Sequence, residues 1–211
     1  MGQARIVVGG VHKGAGKTTL SCFLLRHLPG WGALKVTTTH EGIVCPVEAT
    51  CTACGELQGP FLLVEERAVL DQDGTDTWKL GRAGAARVAW LRATPEHLGE
   101  GLRLALERLR DLPGLVVEGT NVARHAGDLY LLAARPPVRK IKPSARATAV
   151  RADLAVWNLR PGDAGDGRAL LERELPRFRD AVPFRGAEPE APENVALIRW
   201  IRRHLFGGGD Q

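Results

Sequence analysis

The chain has 211 residues, of which 44% are hydrophobic and 25% are charged, and these totals indicate a soluble globular protein built as one α/β domain. No apolar run approaches the roughly 18 residues of a membrane-spanning helix, so we expect no membrane partner. The first apolar run gives way at once to glycines, unlike a signal peptide, and we therefore expect a cytoplasmic protein.

Short apolar runs alternate along the chain with stretches of helical spacing. Strands are predicted at residues 4–10, 33–39, 61–66, 87–93, 115–119, 128–134, 153–159 and 181–184. Helices are predicted over 18–28 and 76–85, from the capping sequence at Thr94 to Leu112, and over 166–178 and 192–206. This alternation predicts a mainly parallel β-sheet with helices on both faces.

We expect residues 1–206 to form a single domain and residues 207–211 to form a flexible tail. Within the domain, residues 40–60 form a long polar loop that contains three cysteines. Residues 135–151, called here the basic segment, contain six basic residues and no acidic one. Two interpretations of the basic segment stay open: a solvated loop, or a patch that faces the phosphates of a nucleotide or an anionic substrate. No aromatic residues interleave with its charges, so we expect no nucleic-acid partner.

The sequence GGVHKGAGKTTL, residues 9–20, lies between the first predicted strand and the first predicted helix and is typical of a phosphate-binding loop. Glycines permit the turns in which successive backbone N–H groups converge on phosphate oxygens. The lysine reaches the β- and γ-phosphates, and the following threonine hydroxyl suits Mg²⁺. The sequence therefore predicts a P-loop NTPase that binds ATP or GTP through Lys13, Gly14, Ala15, Gly16, Lys17, Thr18 and Thr19.

The loop departs from the general P-loop pattern at its first position, where Val11 replaces glycine. This departure resembles the SIMIBI class of P-loop proteins, whose pattern is K-G-G-x-G-K-[ST]. The signature lysine of that class reaches a phosphate across a dimer interface, and its counterpart here, Lys13, is displaced by one place. The resemblance therefore leaves a homodimer open.

A second acidic group is expected near the Mg²⁺ ion, at the end of another strand. The run LVVEG places Glu118 at such an end, and the following Gly119 permits close approach. The alternative is an ordinary surface acid. We predict Lys17 and Glu118 as the catalytic residues, with Thr18 and Glu118 as the Mg²⁺ contacts.

Several motifs together resemble the MobB family of GTP-binding accessory proteins in molybdopterin guanine dinucleotide biosynthesis. They are the P-loop, the strand end VVEG, the stretch GTDTWKLGRAGA at residues 74–85 and the closing pattern VPF…APENVALIRWI. The resemblance implies a molybdenum cofactor role, GTP binding, weak hydrolysis and a molybdopterin-type anionic partner. It also implies that Asp76 and Thr77 contact Mg²⁺ or nucleotide.

Guanine recognition in many P-loop proteins uses an N-K-x-D motif at a strand end. The equivalent stretch here begins at Asn158, with Asp163 two places late, so the resemblance alone implies guanine and Asn158 is a predicted nucleotide-binding residue. No arginine finger and no base for water are identified beside the P-loop. We therefore expect slow hydrolysis in the isolated protein.

Three cysteines and a histidine lie close together in the loop after the second strand: His40, Cys45, Cys51 and Cys54. The Cys51-x-x-Cys54 spacing suits two thiolates on one Zn²⁺ ion, and three cysteines can instead hold an iron–sulfur cluster. The remaining alternative is a set of reduced thiols without a metal. This cluster supports a second reading of the chain, a nucleotidase metallochaperone of the CobW, HypB or UreG kind.

A third reading is an ATP-dependent kinase or ligase that resembles dethiobiotin synthetase. That enzyme shares the VEG strand end, and in this reading the basic segment holds an acidic substrate.

Overall fold

The computed structural model describes residues 2–39, 57, 59–125, 127–163 and 165–207. The strands in this part of the chain are β1 (Ala4–Gly10), β2 (Gly32–Thr38), β3 (Phe61–Val64), β4 (Val88–Ala93), β5 (Gly114–Glu118), β6 (Leu129–Ala134), β7 (Leu154–Leu159) and β8 (Val182–Arg185). The α-helices are α1 (Lys17–His27), α2 (Arg67–Leu70), α3 (Asp76–Arg82), α4 (Leu98–Arg108), α5 (Pro143–Thr148), α6 (Arg168–Glu174) and α7 (Pro192–Phe206).

The eight strands form one sheet in the order β3-β4-β2-β5-β1-β6-β7-β8. All neighbouring strands are parallel except β3, which pairs antiparallel with β4 at one edge. Every residue of β5 and β6 is buried, as expected for central parallel strands covered on both sides. The predicted α/β architecture with a mainly parallel sheet is therefore confirmed.

Helices cover both faces of the sheet, because alternate side chains of each strand point to opposite sides. On β1, Ile6 and Val8 belong to one apolar cluster together with Leu24 of α1, and the same cluster contains side chains of α3 and α7. Val7 belongs to the other cluster together with Leu102 of α4, and this second cluster contains side chains of α5 and α6. The prediction of helices on both faces is confirmed.

Several predicted helix bounds differ from the structure, and two of the differences have a local explanation. The helix predicted to start after Thr94 begins at Leu98, because the Thr94 hydroxyl contacts the His97 ring (3.0 Å) within a turn that precedes the helix. The helix predicted over 166–178 ends at Glu174 and is followed by a 3₁₀ turn, Pro176–Asp180. Pro176 has no N–H group and disfavours helical backbone at the residue before it, so the α-helix cannot continue.

The basic segment is partly helical, because it contains α5 and a following 3₁₀ turn, Ala149–Arg151. Its buried Ala145 packs in the same apolar cluster as α4. The second half of this segment is therefore helical and partly buried rather than a loop, although Arg146 and Arg151 are exposed.

The predicted metal ligands His40, Cys45, Cys51 and Cys54 and most of the predicted tail lie outside the described residues. Within the described part of the chain, no helix is long and apolar enough to cross a membrane.

Candidate phosphate-binding site

The glycine-rich loop connects the carboxyl end of β1 to the first turn of α1, in the middle of the sheet. Gly14 and Gly16 have φ angles of 79° and 85°, in the left-handed region that glycine adopts without strain. Gly16 is the N-cap of α1, and no side chain caps the helix. The first N–H groups of α1 therefore face the loop and are suited to an anion.

Asn158 supports this loop from the end of β7. Its side chain is only 2% exposed, and a Cβ atom built on Gly16 would lie 1.7 Å from its Nδ2 atom. The Asn158 amide therefore packs against the backbone of Gly16, which explains why this position requires glycine. Direct contact of Asn158 with a nucleotide stays a prediction.

Val11, which replaces the first glycine of the general motif, is a core residue. Its side chain is fully buried in the apolar cluster that contains Val7 of β1. Its N–H group donates to the carbonyl of Ala133 at the end of β6 (2.9 Å). A buried valine therefore fixes the start of the loop to the neighbouring strand, and the flexibility of glycine is not needed there.

The lysine of the motif extends over the start of the loop. A Cβ atom built on Gly10 would lie 2.9 Å from Cγ of Lys17, so Gly10 leaves room for the stem of this side chain. Lys13 and Thr19 are exposed at the surface of the loop, whereas Ala15 is buried beneath it. The residues predicted to bind phosphate therefore occupy the loop and the first turn of α1, and the buried side chain of Ala15 is not available to a ligand.

A group of charged and hydroxyl side chains lies on the β5 side of the loop. Glu118 at the end of β5 is 2% exposed. Its Oε1 atom accepts a hydrogen bond from the Thr18 hydroxyl (3.1 Å) and one from Nζ of Lys35 (3.5 Å). Lys35 also donates to Oδ2 of Asp76, the first residue of α3. The predicted Mg²⁺ contacts Thr18 and Glu118 therefore meet, together with Asp76 and Lys35, at one point.

Mutual attraction keeps Lys35 and Asp76 charged. Burial alone lowers the pKa of Lys35, but the carboxylates of Glu118 and Asp76 outweigh that effect and raise it. Burial alone raises the pKa of the Asp76 carboxyl, but the ammonium of Lys35 and the hydroxyl of Thr18 lower it.

Sequence reasoning missed Lys35, although a lysine within the otherwise apolar start of a predicted buried strand was a usable signal. The register explains its position, because Lys35 of β2 lies directly opposite Glu118 of β5. Because the two residues are neighbours on adjacent parallel strands, the lysine side chain can reach the carboxylate directly.

The residues on this side fit a magnesium ion. The Oε2 atom of Glu118 is buried without a hydrogen-bond partner among the described residues, which is unfavourable unless another group binds it. Together with the Thr18 hydroxyl and the Asp76 carboxylate, it offers the hard oxygen donors that Mg²⁺ prefers. Thr77 does not join this set, because its buried hydroxyl donates to the carbonyl of Leu70 (2.8 Å). The expectation that Thr77 contacts Mg²⁺ or nucleotide is not supported by this geometry.

The start of the basic segment contacts the opposite side of the loop. The His12 ring contacts the carbonyl of Arg135 (2.9 Å) as well as the carbonyl of Lys13 (2.6 Å). A Cβ atom built on Gly14 would lie 3.3 Å from Nη2 of Arg135. The structure therefore places an arginine side chain beside the P-loop, where the sequence identified no arginine finger. The contact joins residues more than a hundred positions apart, and local motifs do not reveal such pairs.

A buried strand, a left-handed glycine loop, a helix that begins with Lys17 and Thr18, and a carboxylate on the adjacent parallel strand define the P-loop NTPase fold. The chain is an α/β protein with this fold. The fold alone does not assign the chain to a family.

Comparisons with known proteins give no closer assignment. No family model matches the chain, and no curated protein matches it. Among solved structures, the chain is similar to LpxK from Aquifex aeolicus, described as an "apo" form in complex with ATP, at 18% identity and a TM-score of 0.46. The match covers 74% of this chain and 48% of LpxK, so the chain spans about half the length of that protein.

Proposed function

We propose that the protein binds a nucleoside triphosphate with Mg²⁺ at residues 13–19 and hydrolyses it slowly. The hydrogen bond between Thr18 and the buried Glu118 carries this proposal, because it joins the two residues that hold Mg²⁺ in P-loop sites. The loop N–H groups and Lys17 would bind the phosphates. Thr18, Glu118 and Asp76 would hold Mg²⁺, which neutralises charge on the β- and γ-phosphate oxygens when it is bound. A homodimer is not required by this arrangement and stays a prediction.

Within that class we propose a MobB-like accessory role in molybdopterin guanine dinucleotide biosynthesis, with GTP as the nucleotide. The resemblance at residues 74–85 supports this role, and Asp76 of that stretch contributes to the carboxylate group beside Thr18. The base would lie toward β7 and β8, where Gly186 closely approaches Thr19 and Asn158. Competition between GTP and ATP for the purified protein measures this preference, and tighter binding of ATP would contradict it.

The triphosphate proposal is tested by calorimetry on Lys17→Ala. Loss of a lysine that contacts two phosphates should weaken binding by about 2–5 kcal/mol. Lys140→Ala is the matched control, because Lys140 is an exposed lysine of the basic segment. Equal affinities of Lys17→Ala and the wild type for triphosphate would contradict the proposal.

A small-molecule kinase is the second candidate, and a groove beside the P-loop favours it. The groove has a volume of about 470 Å³ and runs between α1 and α3 from Thr18 to Arg26, with Trp78 in its wall. Among the described residues, three basic side chains and no acidic one line the groove: Arg26, Lys79 and Arg82. None of these three side chains forms an ion pair with a described carboxylate. Such a groove suits an anionic acceptor.

The kinase candidate predicts transfer of the terminal phosphate to an added anionic compound. The test follows a radiolabelled γ-phosphate through a panel of small carboxylates and phosphates, with Arg82→Ala as the variant. Release of inorganic phosphate alone, unchanged in Arg82→Ala, would contradict the kinase candidate and leave the accessory role.

The metallochaperone reading depends on His40, Cys45, Cys51 and Cys54 and stays a hypothesis. Among the described residues, no group of three or more His, Cys, Asp and Glu side chains is placed to hold a metal. Zn²⁺ titration, or anaerobic reconstitution with iron and sulfide, of the wild type and a Cys51→Ser, Cys54→Ser variant decides the matter. Thiolate ligands predict tight binding that the variant loses and that weakens as the pH falls. Equally weak binding by both proteins would reject this reading.

A further inference from the structure

The basic segment lies along the phosphate-binding loop at two points, and the first is Arg135. Because β6 pairs in parallel with β1, its carboxyl end emerges beside the start of the loop. Arg135 follows β6 directly, and the His12 ring contacts its carbonyl. Its guanidinium lies against the backbone of Gly14, as the 3.3 Å distance from Nη2 to a built Cβ shows.

The second point is Lys142. Its N–H group donates to the carbonyl of Val11 (2.9 Å), so the backbone at this end of the segment is fixed to the loop. The next residue, Pro143, is the first residue of α5, and its fixed φ angle favours the start of a helix there. Burial and the nearby ammonium of Lys17 lower the pKa of Lys142 to about 8, although Glu118 opposes them. Lys142 is therefore half-buried, with its backbone bound to the start of the loop and its ammonium within electrostatic reach of Lys17.

Arg135, Lys142 and Lys17 share an unfavourable arrangement. No described carboxylate forms an ion pair with any of them. The ammonium groups of Lys142 and Lys17 repel each other, and the guanidinium of Arg135 is repelled by Arg160 and attracted by Asp163. A bound anion would relieve the repulsion.

The other four cations of the segment differ from these two. Arg139, Lys140 and Arg151 are exposed, and Arg146 pairs with Glu174 on α6. The two cations that contact the loop are therefore distinct from the solvated ones, although all six belong to one stretch of sequence.

We propose that Arg135 and Lys142 bind the terminal phosphate of the triphosphate, so that the chain supplies its own cations to that group. This inference rests on the proposed function. Lys17 reaches the β- and γ-phosphates in P-loop sites. Lys142 is bound through its N–H group to the carbonyl of Val11 at the start of the same loop, and its ammonium interacts electrostatically with Lys17. Arg135 approaches the same phosphates from the Gly14 side of the loop. Lys13, the displaced counterpart of the SIMIBI lysine, is exposed, and in this proposal Arg135 and Lys142 take over the contact.

The proposal predicts a preference for triphosphate over diphosphate that depends on these two side chains. The variants are Arg135→Gln and Lys142→Gln, and the matched controls are Arg139→Gln and Lys140→Gln, which remove the same charge from the same segment. Calorimetry with Mg²⁺ measures the affinity for a non-hydrolysable triphosphate and for the corresponding diphosphate. Loss of a charge-assisted contact should lower triphosphate affinity about tenfold or more in each variant and leave diphosphate affinity within about threefold.

Three results overturn the proposal. One is equal loss of triphosphate and diphosphate affinity, which would indicate a general electrostatic effect. Another is that the wild type binds triphosphate and that Arg135→Gln and Lys142→Gln bind it with the same affinity as the two control variants. This result would leave the proposed function standing. The third is absence of triphosphate binding by the wild type, which rejects both. Lys142→Arg and Arg135→Lys keep the charge and should keep most of the preference, so they decide the matter if a glutamine variant fails to fold.

Discussion

The β5 side and the β6 side of the phosphate-binding loop carry opposite charge, and they differ in how far ion pairs within the chain neutralise it. On the β5 side, the carboxylates of Glu118 and Asp76 share the ammonium of Lys35. On the β6 side, Arg135 and Lys142 lie near the loop without an ion-pair partner among the described carboxylates. The first side is partly neutralised within the chain, whereas the second has no ion pair with a described carboxylate and is suited to an external anion.

This difference indicates what each side is suited to bind. A carboxylate group with one buried oxygen that lacks a hydrogen-bond partner among the described residues suits a cation. Two cations without an ion pair to a described carboxylate suit a phosphate. Magnesium bound to a nucleoside triphosphate offers both charges in one ligand. The comparison therefore predicts that the two sides act on different parts of the same ligand.

The largest effect is expected on the acidic side. Glu118→Ala leaves the half-buried Lys35 with Asp76 alone and removes the acceptor of Thr18, so the free energy of unfolding should fall by about 3 kcal/mol. Urea denaturation measures this change. Glu96→Ala, at an exposed position without an ion pair, should leave the midpoint unchanged. Equal stability of both variants would show that the acidic group is not held together as described.

A smaller effect is expected at Gly16, between the two sides. Gly16→Ala combines a left-handed backbone with a clash against Asn158, and we expect a loss of stability of about 2 kcal/mol. Gly84→Ala is the control, because Gly84 has a φ angle of 99° and nothing within 4 Å of a built Cβ. Thermal unfolding that shifts equally in both variants would mean that the Asn158 contact contributes nothing.

A pH-dependent effect is expected on the basic side and concerns the protonation of Lys142. Its pKa is lowered from 10.5 to about 8 in the folded protein, so folding releases a proton between these values and the associated penalty is fully present below pH 8. Stability should therefore rise as the pH increases from about 8 to 10.5. Lys17 and Glu118 are the groups that face Lys142, and bound phosphate would add negative charge that favours its ammonium.

Triphosphate binding at pH 8.5 should accordingly take up about half a proton or more. Calorimetry in buffers of different ionisation enthalpy measures the uptake, and Lys142→Gln should abolish it. Equal uptake by the variant would show that another group titrates.

The sequence predicted those parts of the site that depend on local pattern. The P-loop was identified because glycine, lysine and threonine lie at fixed spacing between a strand and a helix, and Glu118 because it ends an apolar run. Arg135, Lys142 and Lys35 were not assigned to the site, because their contacts depend on strand order and register in the sheet. Strand order follows from the crossover connections, and no short window of sequence contains it.

The basic segment illustrates the same limit. Its charge was evident, and both interpretations of it were reasonable from composition. The structure separates its six cations by position, since β6 pairs with β1 and brings Arg135 and Lys142 to the loop. Composition alone treats Arg139 and Arg135 as equivalent.

If both sides of the loop bind one magnesium–triphosphate, the affinity for triphosphate depends on Mg²⁺. Calorimetric titration of a non-hydrolysable triphosphate with Mg²⁺ and with EDTA measures this dependence directly. The wild type should lose affinity about tenfold or more without Mg²⁺, and Thr18→Ala should show a reduced dependence on the ion because one ligand oxygen is missing. A triphosphate affinity that is the same with Mg²⁺ and with EDTA, in both proteins, would contradict the account.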